Sequence, residues 1–312
     1  MSERRLPFHL VYHPRYDLNL GDHVFPAQKY RLIRERLLAE GVAAAGDFLE
    51  PGAAADEDLL AVHERQWVQK LKHGTLSYHE ILKLEIPYSS QMVEGVMLAT
   101  GGSILAAERA LAERVGYNIG GGFHHAFAAH GEGFCAIHDV AVAVRALQRR
   151  KRIGTALILD TDVHHGNGTA SIFTGDPTVF TLSIHQLKNY PEQKPPSTVD
   201  IDLADGVRDQ EYLEKLGEAY TKAIAGFRPD LVCFLAGADP YKEDQLGGLS
   251  VSIDGLAARD RLVFRAALDA GIPVMVALAG GYAMDTDDTV TIHCNTCIEA
   301  RNVLAAITQK ST

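Results

Sequence analysis

The sequence predicts an α/β fold in which one open parallel sheet carries helices on both faces. Two observations support this: short β-branched runs alternate with amphipathic helical segments, and several runs are apolar without alternation. Strands buried on both faces have that continuous apolar character. The chain has 312 residues, of which 46% are hydrophobic, so it can build one large core. We therefore expect a single domain over residues 1–312.

Six runs are predicted as strands by their β-branched and apolar content. They cover residues 9–13, 116–119, 155–160, 179–184, 231–236 and 273–278. Two of the segments between them, 211–227 and 252–270, are predicted as amphipathic helices. In the first of these, Tyr212, Leu216 and Tyr220 fall on one helical face. The stretch 43–55 is rich in Ala, Gly and Pro and is predicted to be a surface loop.

Composition excludes several classes of protein. The net charge of −10 argues against a nucleic-acid-binding surface, which would be basic. It is compatible with a cationic substrate, although it also has the simpler explanation of solubility. No apolar run is long enough to span a membrane, and the first ten residues contain no long apolar stretch.

The chain contains four cysteines: Cys135, Cys233, Cys294 and Cys297. Four in a chain of this length do not indicate a disulfide framework. Cys294 and Cys297 form a CxxC with no second pair, which we interpret as structural. We predict a reduced, cytoplasmic protein.

The residues that follow four of the predicted strands carry the chemistry. GGGFHH ends in His124 and His125, and DTDVHHGNG covers residues 160–168. GAD ends in Asp239, and AGGY ends in Tyr282. Ligands bind at the carboxyl ends of strands in open parallel sheets. We therefore expect these side chains to meet at one edge of the sheet.

Asp162 and His164 are predicted to be metal ligands. Positions i and i+2 of an extended chain point the same way, so both side chains can reach one ion. Asp239, from another strand end, can complete the set. Three protein ligands and an open fourth position are typical of catalytic zinc, although iron or manganese also suits carboxylate ligands. Taken alone, the Asp-x-His pair would be interpreted as an ordinary polar loop. Asp239 and the two histidines at other strand ends favour the metal site.

His124 and His125 are predicted to perform acid–base catalysis. Tandem histidines after three glycines are poor core residues, and an imidazole beside an activated water can take its proton. Asp160 is available to fix one tautomer and Asn167 the other, although Asp160 could instead cap a helix or be a plain loop carboxylate. Tyr282 could donate to a developing oxyanion, although taken alone it could be a packed surface tyrosine.

Long segments of the chain resemble the zinc-dependent histone deacetylases, which have the arginase/deacetylase fold. These segments are GYNIGGGFHHAFAAHGEGFCAIHDVAVA, LILDTDVHHGNGT, FLAGADPYKEDQLGGLSVS and ALAGGY. The resemblance extends from VYHPRY near residue 11 to about residue 298. The stretch GADPYKEDQLGGLSVSIDGLAARDRLVF is most similar to the class IV, or eleventh-isozyme-type, branch and its bacterial members.

The resemblance implies a role for each candidate residue. Zinc would be bound by Asp162, His164 and Asp239. The catalytic pair would be His124 and His125, with His125 as general base and acid and Asp160 as the partner of His124. Tyr282 would polarise the scissile carbonyl.

The resemblance also implies a narrow substrate tunnel and structural potassium. Phe134 would line the tunnel, the Gly133 carbonyl would contact the substrate, and Tyr190 is our assignment for the opposite wall. A potassium ion would be bound by Asp160, Asp162, the carbonyl of His164, Ser183 and Ile184. A second potassium ion would lie near Phe173 and Val179.

The chain departs from the family pattern at two places. Class I enzymes carry an acidic residue where Asn167 stands, so the partner of His125 is uncharged and its basicity is expected to be lower. The class I tunnel segment is replaced by HQLKNYPEQKPP, which leaves the acyl-chain preference open.

The predicted activity is metal-assisted removal of an acetyl or longer fatty acyl group from lysine side chains. The substrate would be an acylated protein or peptide; the alternatives are an acetylpolyamine or another small acetylated metabolite. A non-catalytic module that binds acyl chains is a further alternative. An arginase-type ureohydrolase needs an Asp-x-His-x-Asp run for two manganese ions, and Gly166 occupies its last position. We expect no nucleic-acid or membrane partner, and the sequence does not specify an oligomeric state.

Overall fold

The computed structural model describes residues 3–310. Its centre is one sheet of eight strands with the order β2-β1-β3-β8-β7-β4-β5-β6, and every neighbouring pair is parallel. The strands are β1 (Leu10–Val11), β2 (Phe48–Leu49), β3 (Val115–Asn118), β4 (Ala156–Asp160), β5 (Val179–Gln186), β6 (Val199–Leu203), β7 (Leu231–Leu235) and β8 (Val274–Ala277).

Helices lie in every connection between consecutive strands except the one from β5 to β6, which is a loop of residues 187–198. They are α1 (Lys29–Ala39), α2 (Asp56–Leu59), α3 (Arg65–His73), α4 (Tyr78–Leu84), α5 (Ser90–Glu113), α6 (Asp139–Arg149), α7 (Asn167–Ile172), α8 (Asp209–Phe227), α9 (Ile253–Asp269) and α10 (Thr286–Lys310). Within residues 3–310, none of them is both long and apolar enough to cross a membrane.

Side-chain caps fix where several helices begin. Ser89 accepts a hydrogen bond from the backbone N–H of Met92 at the start of α5, and Ser252 accepts one from Gly255 at the start of α9. Each cap satisfies an N–H group that the first helical turn leaves without a partner. Both helices therefore start where polar residues interrupt the apolar pattern.

The six predicted strands and the two predicted helices are confirmed, with end shifts of a few residues. Strand β6 was not predicted: Val199, Ile201 and Leu203 alternate there with two aspartates, as in an edge strand exposed on one face. The prediction that residues 43–55 form a surface loop is wrong in part. Ala43 and Asp47 are buried there, and β2 adds an edge strand parallel to β1.

The middle of the sheet explains how the site is assembled. Every residue of β3, β4, β7 and β8 is buried, so both faces of these strands are covered. The four strands are adjacent in the order β3-β8-β7-β4. Their carboxyl ends therefore lie side by side and bring the segments after them to one edge.

Candidate active site

The structure brings Asp162, His164 and Asp239 together at the carboxyl ends of β4 and β7. All three are buried, and one ligand atom from each lies within 4.8 Å of the others. His164 Nδ1 is 2.9 Å from Asp162 Oδ1 and 3.3 Å from Asp239 Oδ2. The predicted ligand set is thus a compact cluster of two carboxylates and one imidazole.

The hydrogen bonding of this cluster fits a metal ion. Asp239 Oδ1 accepts from the backbone N–H of Val163 at 2.8 Å, but Asp239 Oδ2 is buried and makes no hydrogen bond among the described residues. Burial and the neighbouring Asp162 charge raise the pKa of Asp239 to about 8. A divalent cation would offset the repulsion between the two carboxylates and satisfy the unpartnered oxygen.

Gly280 shows how closely the backbone packs around the cluster. Its N–H donates to Asp162 Oδ2 at 2.7 Å. A Cβ atom at this position would collide with the carboxylate oxygens of Asp162 and Asp239. Only glycine lets the loop after β8 approach the ligands this closely.

His124 and His125 follow β3, and their ring centroids are 4.0 Å apart. His124 Nδ1 lies 2.7 Å from Asp160 Oδ2, and His125 Nδ1 lies 2.7 Å from Asn167 Oδ1. Each histidine therefore has its own partner. The other Asp160 oxygen accepts from the Asp162 N–H, so Asp160 orients an imidazole and does not cap a helix.

Glu132 completes the support of His125 and was missed in the sequence. Asn167 Nδ2 donates to Glu132 Oε1 at 2.6 Å, while Asn167 Oδ1 accepts from the Gly168 N–H at 3.0 Å. These contacts fix the amide orientation, so Nδ1 of His125 carries the proton and Nε2 is left as an acceptor. Hydrogen bonds from His130, Lys83 and Asn167 overcome burial and lower the pKa of Glu132 to about 2. The charged Glu132 carboxylate is thus hydrogen-bonded to Asn167, the uncharged partner of His125.

The surroundings of the two imidazoles shift their pKa values in opposite directions. Burial disfavours the charged form of His124, but the charges of Asp160 and Asp162 raise its pKa to about 9. Burial, reinforced by His124 and His164, lowers the pKa of His125 well below its ordinary value. The pKa of His124 is thus raised and that of His125 is lowered, so the two neighbouring imidazoles have opposite preferences for the charged form.

Tyr282 lies beside the cluster after β8. Its ring centroid is 6.3 Å from that of His164, and its backbone N–H donates to Asp244 Oδ2 at 2.7 Å. Burial, together with the charges of Asp162 and Asp239, raises the pKa of the phenol well above its ordinary value. The hydroxyl is thus a hydrogen-bond donor at neutral pH.

The residues predicted to line a tunnel surround the same site. The Tyr190 ring packs edge-on against His125 with centroids 4.8 Å apart, and the Phe134 ring lies 5.9 Å from that of Tyr282. Gly133 has a φ of 52°, and a Cβ there would approach the His125 ring to 2.8 Å and the Tyr190 ring to 2.9 Å. Glycine at this position keeps the approach to His125 open.

The predicted potassium ligands lie next to the site. Ser183 on β5 is the register partner of Asp160 on β4, and Ile184 follows it, fully buried. Phe173 and Val179 lie at the two ends of the turn between α7 and β5. The residues of the first group are adjacent, and the assignment of ions to both groups stays a prediction.

A second residue missed in the sequence lies next to the site. Lys29 is fully buried, and its Nζ donates to the carbonyl of Ala279 at 2.9 Å. Burial lowers its pKa to about 8, against the charges of Asp239 and Asp162. Nearby, Phe134, Tyr282 and Gly122 line a cavity of about 20 Å³, which is room for about one water molecule.

Comparisons with known proteins identify the family of this chain. A family model described as "Histone deacetylase domain" matches residues 23–297. An uncharacterized protein of Picosynechococcus sp. is 39% identical over 95% of this chain and 99% of its own length. Histone deacetylase 2 of Arabidopsis thaliana is 32% identical over 88% of this chain and 74% of its own length.

A solved structure supports the fold. The HD domain of HDA15 superposes with a TM-score of 0.78 and covers 96% of each chain at 22% sequence identity. The acetoin utilization protein AcuC of Bacillus subtilis is 30% identical over 78% of this chain and 69% of its own length. With the family model spanning most of its length, the chain belongs to the histone deacetylase domain family and is a deacetylase-type hydrolase of that family.

Proposed function

We propose that the protein is a metal-dependent deacylase that removes an acyl group from a lysine side chain or a similar amine. The observation that carries the proposal is the pairing of His125 with Asn167 beside the cluster of Asp162, His164 and Asp239. This pairing supports the proposal, because it leaves an unprotonated imidazole nitrogen beside the three candidate metal ligands. Metal-assisted amide hydrolysis uses both elements.

Zinc is the metal we propose for Asp162, His164 and Asp239, with ferrous iron as an alternative for the same oxygen and nitrogen ligands. When bound, it would polarise the acyl carbonyl and increase the acidity of a water molecule. The unpartnered oxygen of Asp239 and the glycine cradle at Gly280 support this assignment.

The chain's own side chains would then carry the proton transfers. Nε2 of His125 accepts the proton of the attacking water and later donates it to the departing amine nitrogen. His124, held by Asp160, keeps a positive charge next to the reacting carbonyl. The Tyr282 hydroxyl donates a hydrogen bond to the carbonyl oxygen as negative charge develops on it.

The small inner cavity disfavours a long acyl group, because it has room for about one water molecule. About 20 Å³ lies beside His125, Phe134 and Tyr282, and the buried Lys29 packs behind Tyr282. A long aliphatic chain would have to displace packed side chains, which costs free energy in a close-packed interior. We therefore propose acetyl-lysine as the preferred substrate over fatty acyl-lysine.

Four further assignments belong to this proposal. Residues 1–312 would form one catalytic domain, acting in the cytoplasm. A potassium ion would be bound by Asp160, Asp162, the His164 carbonyl, Ser183 and Ile184, with a second near Phe173 and Val179. Class IV would be the subgroup, as the stretch that begins at Gly237 suggests.

A hydrolysis assay on the zinc-loaded protein tests the function. Matched lysine peptides would carry acetyl, octanoyl or myristoyl groups, with His125→Ala as the inactive control. We expect cleavage of the acetyl peptide to be fastest and the variant to be inactive. Faster cleavage of the myristoyl peptide would refute the short-chain preference but leave the deacylase intact. If no peptide is cleaved, acetylpolyamines are the next substrates; their cleavage would refute the lysine-peptide assignment.

A further inference from the structure

A second cluster of potential metal ligands lies at the β6 edge of the sheet. It consists of His165 after β4, His185 on β5 and Asp200 on β6, and one ligand atom from each lies within 4.8 Å of the others. His165 and His185 are buried, with ring centroids 4.6 Å apart. The Asp200 side chain is 26% exposed, which gives an ion access from solvent.

His165 lacks the hydrogen bonds that a buried imidazole normally makes. Neither ring nitrogen has a hydrogen-bond partner among the described residues, although the residue is fully buried. Its Nε2 lies 3.3 Å from Asp200 Oδ1, yet this contact does not have hydrogen-bond geometry. A separation of about 3.3 Å is what two ligands have when each is roughly 2.0–2.1 Å from one tetrahedral zinc ion.

The same signature marks the proposed catalytic cluster. There, His164 Nδ1 lies 3.3 Å from Asp239 Oδ2, and that oxygen also has no hydrogen-bond partner among the described residues. Both clusters thus combine a buried, unsatisfied ligand atom with a ligand-like spacing.

Each ring nitrogen of His185 has a polar neighbour. Its Nδ1 lies 2.9 Å from Ser183 Oγ, and its Nε2 lies 3.2 Å from Asp202 Oδ1. When Nδ1–H donates to Ser183, Nε2 has a lone pair available for a metal, and such a hydrogen bond is the usual support of a histidine ligand. The Asp202 carboxylate is a neighbour of His185 and lies outside the group of three residues whose ligand atoms are within 4.8 Å of one another.

We propose that His165, His185 and Asp200, with Asp202 beside them, form a second divalent metal site that binds zinc. Two imidazoles with a carboxylate suit zinc better than magnesium or calcium. The ion would link β6, which pairs only with β5 in the described sheet, to the ends of β4 and β5. The backbone N–H of His165 also donates to the Tyr190 carbonyl at 3.4 Å, so the link would stabilise the loop that carries the tunnel residue.

Metal stoichiometry tests the proposal in the full chain. Metal-free protein would be equilibrated with buffered Zn²⁺, and bound zinc would be measured by mass spectrometry. We expect two ions in the wild type. We expect one in Asp239→Asn, because this substitution removes a ligand of the first cluster, which consists of Asp162, His164 and Asp239. The double variants Asp239→Asn/Asp200→Asn and Asp239→Asn/His185→Gln should bind none. Glu192→Gln, an exposed carboxylate of the nearby loop, should leave both ions in place.

Thermal unfolding gives a second measurement. In the Asp239→Asn background, zinc should raise the Tm, and Asp200→Asn should abolish the rise. The proposal is overturned if Asp239→Asn binds no zinc. It is equally overturned if the remaining ion and its Tm shift survive Asp200→Asn and His185→Gln, because the ion would then lie elsewhere.

Discussion

Nδ1 of His125 lies 2.7 Å from Oδ1 of Asn167, and this contact decides which ring nitrogen faces the reaction. The amide cannot rotate without giving up its hydrogen bonds with Glu132 and Gly168. Nε2 is therefore the basic nitrogen before any substrate binds. The uncharged residue in the place of the class I carboxylate still serves to fix the tautomer.

Asn167→Ala should lower kcat by about 10- to 100-fold, because His125 loses the acceptor that fixes its tautomer. KM and metal content should change little, since Asn167 is neither a metal ligand nor in the proposed tunnel. Steady-state kinetics with metal analysis measures this, and Asn302→Ala on the surface of α10 is the control. Full activity in Asn167→Ala would show that His125 does not need this partner.

Tyr282→Phe should lower kcat by about 10²- to 10³-fold, as expected when one donor to a developing oxyanion is lost. The ring keeps its packing against Phe25 and Phe134, so the unfolding midpoint and bound metal should be unchanged. Tyr78→Phe, at a side chain 77% exposed, is the matched control. Unchanged turnover would remove Tyr282 from the mechanism.

Gly280→Ala should abolish stable metal binding at Asp162, His164 and Asp239, because the added methyl group collides with the carboxylates of Asp162 and Asp239. Zinc content after dialysis is the measurement. Gly226→Ala in α8, where an added Cβ meets nothing within 4 Å, should bind zinc normally. Retention of the first-cluster ion in Gly280→Ala would contradict the geometry described for this loop. An Asp200→Asn background makes that ion countable by itself.

Protein stability should fall between pH 6.5 and pH 4 through His63. Burial lowers the pKa of His63 to about 4, and its ring donates to the Phe127 carbonyl while accepting from the His138 N–H. Between these pH values, His63 therefore binds a proton in the unfolded chain but stays neutral in the folded chain. The contribution of neutral His63 to the free energy of unfolding is fully present above the unfolded pKa of 6.5. It is lost as the pH falls from 6.5 to about 4. The free energy of unfolding falls by about 3 kcal/mol over this range, because each pKa unit between the folded and unfolded values is worth about 1.4 kcal/mol.

Urea unfolding of the wild type and His63→Gln at several pH values isolates this contribution. The variant should lose less stability than the wild type on acidification, while exposed His79→Gln should follow the wild type. Parallel pH profiles of wild type and His63→Gln would show that His63 is not the responsible group.

Most of the site could be predicted because its residues come directly after buried strands. A strand such as β4 is recognisable by its continuous apolar run, and parallel pairing brings the segment after each strand to one edge of the sheet. Asp162, Asp239 and Tyr282 were predicted in this way, and the structure brings them together. The conclusion needs only the strand positions and the rule that binding occurs at their carboxyl ends.

Other residues could not be predicted because their roles depend on long-range contacts. Lys29 begins α1 and reads as a surface lysine, yet it contacts Ala279, 250 positions away along the chain. Glu132 lies in a loop without periodicity, and only the folded chain brings it to Asn167. The strand β6 was missed since its alternating aspartates resemble a polar loop.

Glu132 has one further consequence for how such an enzyme can change. Its carboxylate contacts Asn167 behind the base, the Tyr190 hydroxyl at the tunnel and Lys83 on α4. The proposed proton transfer and the proposed substrate entrance therefore depend on the same carboxylate. A substitution of Glu132 that widens the proposed entrance would also remove the hydrogen bond that orients Asn167, the partner of His125. Substrate range and turnover would therefore change together at this position. New specificities should arise instead from residues such as Phe134, whose ring contacts do not include the Glu132 network.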